Sequence, residues 1–467
     1  MSKFLKKFGG FSLGPIIGAF LGFITVPLVT YFISADEFGR ASMFSMAQST
    51  MSILMYMGLD QAYVREFNQA RLENKKDELL VNAMFLPVFM AMLIGVLIFV
   101  FPSFVSQILF DNRNEVFISR SLAVMLPFMI FENFGLLKIR MEEKGTLYSF
   151  FTILLKLLTL AFTVLLFVAY EKSFRSVIFA SLISEILTSC FVIFTSLRKT
   201  NLLHSKLDKA LIKRMLYFGI PLMPAAIIGW LLTSMDKVML RTLCNYSELG
   251  VYSAAFKIVN VMGIIQSCFT LFWPPVAYRW HEEKKDNKYF SAVNDIVAVV
   301  MVIMCMLILL CKDIVAVILG KNFAQSIYIF PFIMLYPIMY TMSETTCLGI
   351  SFSRKTGYNI IVTAISGTLN VILNYLLIPS LGGKGAAIAT GLSYIAFFWG
   401  RTLFSRRLWF KFPIKKYVIY MFVIIINCFV HTFCINWLPY AVSSVTVCVL
   451  LPTLLKTVKE GRSLFEA

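Results

Sequence analysis

Polar side chains recur at helical spacing through one otherwise apolar stretch near the N-terminus. At about 100° per residue, seven of them fall within an arc of about 80°. They are Ser42, Ser45, Ser49, Ser52, Tyr56, Asp60 and Tyr63. Hydroxyl and carboxylate groups aligned in this way can hydrogen-bond a polar ligand or hold a cation. Arg65 projects on the opposite side and is predicted to mark the end of the segment.

A second apolar stretch carries a similar polar line at Ser253, Lys257, Asn260 and Ser267. Serines alone also occur where membrane helices pack together, and for them that explanation stays open. A lysine about two turns inside such a stretch is costly unless it meets water or an anion. The sequence therefore predicts that Lys257 faces water or an anionic ligand.

Other charges fall deep inside apolar stretches. Lys156 and Glu185 each lie about ten residues into neighbouring stretches, which favours a structural ion pair, with a substrate contact as the alternative. Arg120 is about one turn from a predicted surface and can extend its side chain to it. Asp236 is predicted at the outer end of its segment.

The composition indicates the class of protein. The chain has 467 residues, 59% of them hydrophobic and 15% charged, with a mean hydropathy of +0.79. Soluble domains carry about 25% charged residues, so we expect a polytopic membrane protein. The nine cysteines form no C-x-x-C pair and the three histidines are far apart, so neither a metal site nor a cofactor is predicted. The net charge of +18 is attributed to topology, and no nucleic-acid partner is expected.

Fourteen membrane-spanning segments are predicted from hydropathy. They are roughly 12–33, 41–63, 80–102, 116–137, 146–169, 176–197, 212–234, 249–273, 289–311, 323–343, 357–379, 385–404, 415–436 and 440–456. With the N-terminus inside, the cytoplasmic segments carry 31 lysines and arginines and the outer loops carry 9. The excess of basic residues predicts that both termini are cytoplasmic.

An internal repeat relates the two halves of the chain. A shift of 211 residues aligns "ADEFGRASMF" (35–44) with "YSELGVYSAA" (246–255) and pairs Glu37 with Glu248. Each predicted repeat holds six segments, an even number, so both enter the membrane in the same direction. We expect an all-α protein with two parallel six-helix lobes, 1–200 and 201–410, related by pseudo-two-fold symmetry. Two additional helices and a tail (411–467) would follow.

Three stretches carry a family resemblance: "FSLGPIIGAFLGFITVPLVTYFISADEFGRASMF", "GLDQAYVREFN" and "FGIPLMPAAIIGWLLTSMDKVML…ELGVYSAAFKIVN". The chain resembles the Wzx-type oligosaccharide flippases, whose superfamily also contains MATE multidrug exporters and lipid II flippases. The resemblance implies a polyprenyl-diphosphate-linked glycan as substrate, such as an O-antigen repeat unit. It implies transfer from the inner to the outer leaflet of the bacterial cytoplasmic membrane, by alternating access through a central cavity. Contact with other polysaccharide assembly proteins also follows as an expectation.

If the resemblance holds, the polar residues have expected roles. Lys257 would attract the diphosphate, and the predicted glycan contacts are Ser253, Asn260, Ser49, Ser52 and Tyr56. Asp60 is a candidate for ion coupling, and no catalytic residue is predicted. One rival is a cation-coupled multidrug exporter of the same fold, which would favour an acid-lined cavity. The other is a membrane enzyme, which would need clustered catalytic residues that the short outer loops do not provide.

Overall fold

The computed structural model describes the backbone of residues 2–198 and 206–466, with side chains for 13–198, 206–270 and 272–460. Every regular element in these ranges is a helix. This follows from the composition, because a backbone in lipid must satisfy its hydrogen bonds within each segment. The expected all-α polytopic membrane architecture is confirmed.

The described part of the first half contains ten α-helices. They are α1 (Ser2–Phe32), α2 (Ala35–Tyr56), α3 (Leu59–Leu72), α4 (Lys76–Val100), α5 (Pro102–Phe110), α6 (Val116–Met141), α7 (Gly145–Ala169), α8 (Phe174–Val192), α9 (Lys209–Gly219) and α10 (Met223–Leu243). A π-helical turn, Ile193–Leu197, extends α8, and a 3₁₀ turn, Ile220–Leu222, joins α9 to α10.

The described part of the second half contains eleven more. They are α11 (Tyr246–Val259), α12 (Met262–Glu282), α13 (Asn287–Leu310), α14 (Lys312–Leu319), α15 (Ser326–Ile333), α16 (Leu335–Thr346), α17 (Leu348–Phe352), α18 (Gly357–Leu381), α19 (Gly383–Leu408), α20 (Lys415–Phe433) and α21 (Leu438–Glu466). A 3₁₀ turn, Lys321–Phe323, lies between α14 and α15.

The chain divides into two units, Met1–Trp230 and Leu231–Ala467, and the division falls inside α10. The predicted lobe limits at 200, 410 and 467 stay predictions. The first of them falls among residues 199–205, which lie outside the described part of the chain.

Eleven helical segments of the described chain are long and apolar enough to cross a membrane, or twelve if α11 and α12 count as one bent span. The predicted number of fourteen is therefore not confirmed. Helices are present at both remaining predicted spans, but α2 and α19 are not among the apolar segments. Serine, glutamine and arginine in α2, and glycine, threonine and arginine in α19, lower their mean hydropathy.

Two predicted spans are interrupted. The segment predicted as 41–63 breaks at Met57 and Gly58, which adopt left-handed φ values of 50° and 72°. The segment predicted as 249–273 breaks after Val259, and the helices on either side of the break are bent by 46°. The projection of a single polar arc from Ser42 to Tyr63 is therefore wrong beyond Tyr56, because a break resets the helical phase.

The two units repeat one local arrangement, which supports the 211-residue repeat. Ser34 caps α2 by accepting from the backbone N–H of Glu37, and Asn245 caps α11 by accepting from that of Glu248. The side chain of each glutamate also accepts a hydrogen bond from the first residue of a later helix in its own unit. Glu37 accepts from the N–H of Phe174, and Glu248 accepts from that of Gly383 at 2.8 Å. Each carboxylate thus satisfies an otherwise unpaired amide at a helix start.

The last two long helices are joined to each other and to α14 by a buried polar chain. Lys312 donates to the carbonyl of His431 at 3.0 Å, and the His431 ring lies 2.9 Å from the hydroxyl of Ser443. Ser443 in turn donates to Asn427 at 2.8 Å. Because buried polar groups are costly when unpaired, these hydrogen bonds help to hold α20, α21 and α14 together.

Candidate functional site

The serines of α2 form an accessible polar line in the first unit. Ser45 and Ser49 are exposed, and Ser52 is half-buried. Each hydroxyl donates to a carbonyl of its own helix, Ser49 to Met46 at 2.8 Å and Ser52 to Ser49 at 2.8 Å. Their protons are thus engaged, while their oxygen lone pairs can still accept from a ligand hydroxyl.

Tyr56 closes this line at the last residue of α2. Its hydroxyl donates to the carbonyl of Met129 at 3.4 Å, so it is tied to α6. Asp60 lies beyond the break, on α3, where it is half-buried and accepts from Gln61 at 2.7 Å. Tyr63 is fully buried in the core of the unit. The seven residues that the sequence aligned therefore divide between two helices.

A buried acidic cluster lies close to Tyr56. Glu132 and Glu185 interact electrostatically, and Glu185 is 7% exposed. Two carboxylates that lie near each other away from water repel each other unless one of them carries a proton. Lys156 interacts electrostatically with both. A direct ion pair between Lys156 and Glu185 stays a prediction. Glu132 interacts electrostatically with both residues.

The second unit separates its predicted residues. Lys257 and Asn260 are exposed at the end of α11, three residues apart and hence on one side of the helix. Ser253 is 2% exposed, and its hydroxyl has no hydrogen-bond partner among the described residues. Lys257 and Asn260 can therefore meet a ligand together, whereas Ser253 lies inside the unit.

The sequence missed the central role of Asp236 in the second unit. The side chain is 1% exposed, and the hydroxyls of Tyr252 and Thr390 donate to Oδ2 at 2.5 and 2.6 Å. Asn374 donates to Oδ1 at 2.5 Å, and Asn370 accepts from Asn374 at 3.0 Å. These donors are neutral, and the adjacent Lys237 also interacts with the carboxylate electrostatically. Two asparagines four residues apart in an apolar segment were the available signal.

A buried ion pair was also missed, because Arg401 was counted with the cytoplasmic basic residues. Arg401 is 9% exposed and lies 2.8 Å from Glu344, with Ser343 accepting at 2.8 Å. The Arg401 guanidinium also contacts the sulfur of Cys347 at 3.0 Å. The signal was Glu344 itself, an acid at the end of a predicted span. The partners come from α16 and α19, which are distant in sequence.

The side chains described above are of the types that bind a polar substrate and that couple its transport to an ion or a proton. Among the described residues, no three His, Cys, Asp or Glu side chains are placed to hold a metal ion together. Buried carboxylates in membrane helices commonly mark ion or proton pathways. Asp236 and the pair of Glu132 and Glu185 are the candidates for that role, and the accessible polar line and Lys257 are the candidates for substrate contact.

Comparison with known proteins places the chain in a family. Residues 4–280 match the family described as polysaccharide biosynthesis protein. A curated relative, the probable low-salt glycan biosynthesis flippase Agl15 of Haloferax volcanii, is 23% identical over 175 residues. This match covers 36% of the chain and 37% of the relative. The chain thus spans little more than a third of the length of that protein.

Solved structures share the fold. The lipid II flippase MurJ in an inward closed conformation matches with a TM-score of 0.73 and 16% identity, over 96% of this chain and 99% of that one. An inward-facing MATE family multidrug resistance transporter of the MOP superfamily matches with a TM-score of 0.62 and 14% identity, over 83% and 94% of the two chains. The chain therefore belongs to the polysaccharide biosynthesis protein family and has the fold of the MOP-superfamily transporters.

Proposed function

We propose that this protein is a flippase. It moves polyprenyl-diphosphate-linked oligosaccharide units from the inner to the outer leaflet of the bacterial cytoplasmic membrane by alternating access. It acts without covalent catalysis, and both of its termini lie in the cytoplasm. The family membership, the name of the Haloferax relative and the MurJ-like fold support a lipid-linked glycan as the cargo.

The observation that carries the proposal is the exposure of Lys257 close to the end of α11. An ammonium group in this position attracts a diphosphate as a point charge. Asn260, on the same side of α11, supplies amide donors and an acceptor for sugar hydroxyls. A positively charged contact would suit an anionic lipid-linked substrate better than a cationic drug.

Ser49 and Ser52 are proposed as glycan contacts, since their oxygens accept from sugar hydroxyls. Tyr56 and Ser253 were predicted for the same role. Tyr56 is tied to Met129, and Ser253 is buried, so we assign neither of them to direct binding of the glycan.

Energy coupling is proposed to use buried carboxylates. Asp60 was the predicted residue, but it is half-buried and already accepts from Gln61. Asp236 is a second candidate, because its carboxylate is buried among neutral hydrogen-bond donors and can exchange the electrostatic partnership of Lys237 for a proton or a monovalent cation. Glu132 and Glu185 are a further candidate pair, because two interacting buried carboxylates can take up and release a proton together.

The proposal is tested by transport of a fluorescent polyprenyl-diphosphate oligosaccharide in proteoliposomes. Lys257→Ala should lower the transport rate about tenfold or more, because a hydrogen bond to a charged group contributes roughly 1.5–3 kcal/mol. Lys257→Arg should retain most of the rate. Arg120→Ala is the matched control, since Arg120 lies over the Phe99 ring, with its guanidinium carbon 4.9 Å from the ring centroid.

The MATE-like fold and the buried acids favour a second candidate, a cation-coupled multidrug exporter. The same proteoliposomes distinguish the two functions when they are loaded with a cationic dye. Gradient-driven dye export without movement of the lipid-linked glycan would overturn the flippase proposal.

A further inference from the structure

Helix α9 belongs to a helical segment that is too long for a membrane. The candidate span Lys209–Leu243 has 35 residues, which at 1.5 Å per residue is about 52 Å of helix. The hydrocarbon core of a bilayer is about 30 Å thick. The 21 residues of α10 are enough to cross it. The excess length leaves room for the charged first turns of α9, which precede the 3₁₀ turn at Pro221, to lie at the membrane surface.

One side of α9 is fixed to the first unit. Met215 is fully buried in its core, and Leu211 and Phe218 pack against the same cluster. Arg214 pairs with Glu66 of α3 at 2.7 Å. The helix start is also held, because Asp208 caps it. This side of α9 therefore packs against the first unit, and the opposite side is exposed.

The opposite side carries cations and an exposed aromatic ring. Lys209, Lys213 and Tyr217 recur every four residues, and Lys206 lies just before the first turn. The lysines are exposed, and Tyr217 is 86% exposed. We call these four residues the α9 basic face. Tyr217 lies at the end where the chain enters α10, the level at which tyrosine is enriched beside membranes.

We propose that the α9 basic face binds the head groups of anionic phospholipids in the cytoplasmic leaflet. The predicted topology places residues 198–214 on that side of the membrane. Lysines on a helix in the plane of the interface attract anionic lipids, and an aromatic ring anchors such a helix at the level of the head groups. The lipid contact stabilises α9 against the first unit.

The proposal predicts a preference for lipid charge. Each lysine near an anionic surface raises the affinity by a factor of about five. Removing all three charges in a Lys206→Gln/Lys209→Gln/Lys213→Gln variant should therefore weaken binding about 100-fold. Tyr217→Ala should weaken binding of charged and neutral lipids alike, because the ring's contribution does not depend on head-group charge.

The experiment titrates the purified full-length protein in detergent micelles with phosphatidylglycerol or phosphatidylcholine. Lipid binding is followed by the rise in the thermal unfolding midpoint and by native mass spectrometry of retained lipid. The matched control removes three exposed lysines from another predicted cytoplasmic loop, in Lys284→Gln/Lys285→Gln/Lys288→Gln. Replacing the three α9 lysines by arginine tests whether charge alone is needed.

The expected result is a loss of phosphatidylglycerol binding in the glutamine variant of α9, with binding kept in the arginine variant and in the loop control. Equal binding by the wild type and the α9 glutamine variant would overturn the proposal. So would an equal loss in the loop control. Displacement of phosphatidylglycerol by inorganic pyrophosphate would also overturn it, by identifying a phosphate site instead of a lipid surface.

Discussion

Gly58 and Gly219 lie backbone against backbone within the first unit. A Cβ atom at Gly58 would clash with the carbonyl oxygen of Gly219, and one at Gly219 would lie 2.7 Å from the carbonyl oxygen of Met57. The break between α2 and α3 is thus packed directly on the end of α9. The contact joins the helix that carries the accessible serines to the segment that leads into α10.

Gly58→Ala is therefore expected to destabilise the protein by about 2 kcal/mol or more. A left-handed backbone costs a residue with a Cβ roughly 1–2 kcal/mol, and the contact with Gly219 must also open. The measurement is the thermal unfolding midpoint in detergent. Gly263→Ala is the control, since a Cβ at Gly263 meets nothing within 4 Å. Equal midpoints for the two variants would contradict the tight contact.

Glu37→Gln and Glu248→Gln are expected to have similar effects, because both carboxylates accept from the first amide of another helix. Each change should cost about 1–2 kcal/mol, the difference between a charge-assisted and a neutral hydrogen bond at a helix start. Unfolding midpoints of the two single variants test this. The exposed Glu73→Gln serves as the control. A large effect in one unit and none in the other would argue against equivalent roles.

Asp236→Asn should remove the dependence of transport on the coupling ion. The amide cannot balance a bound cation, and its NH2 group would replace one of the two oxygens that now accept from Asn374 on one side and from Tyr252 and Thr390 on the other, so about 2 kcal/mol of stability should also be lost. Transport is measured with and without a sodium or proton gradient. Asp313→Asn is the matched control, because Asp313 also accepts from a tyrosine, Tyr440, but is exposed. Unchanged gradient dependence in Asp236→Asn would exclude Asp236 as the coupling residue.

Arg401→Ala should destabilise the second unit by about 3–5 kcal/mol, since it leaves Glu344 buried without its charge partner. Replacing both partners by apolar residues, in Arg401→Met/Glu344→Leu, should cost less than either single truncation. A double-mutant cycle on unfolding free energies measures the coupling between them. Strictly additive single effects would show that the two side chains do not stabilise each other.

The sequence was sufficient for properties that arise within one segment. High hydropathy predicted a helical membrane protein, because each segment in lipid must satisfy its own backbone. The four- and three-residue spacing of Ser45, Ser49 and Ser52 predicted a polar line on α2, since helical periodicity depends on local geometry. The pairing of Glu37 with Glu248 predicted equivalent positions in two repeats.

Tertiary structure decided which residues meet. No proline marks the break at Met57 and Gly58, and the close contact of Gly58 with Gly219 is seen only in the tertiary structure. Because the helix is interrupted there, Asp60 does not continue the line of serines on α2. Asn374 reaches Asp236 from a helix 138 residues away, and Arg401 reaches Glu344 across 57 residues. A buried charge is costly without a partner, and the packing of helices that are distant in sequence determines which residue that partner is. The hydropathy and residue spacing of one segment therefore cannot predict it.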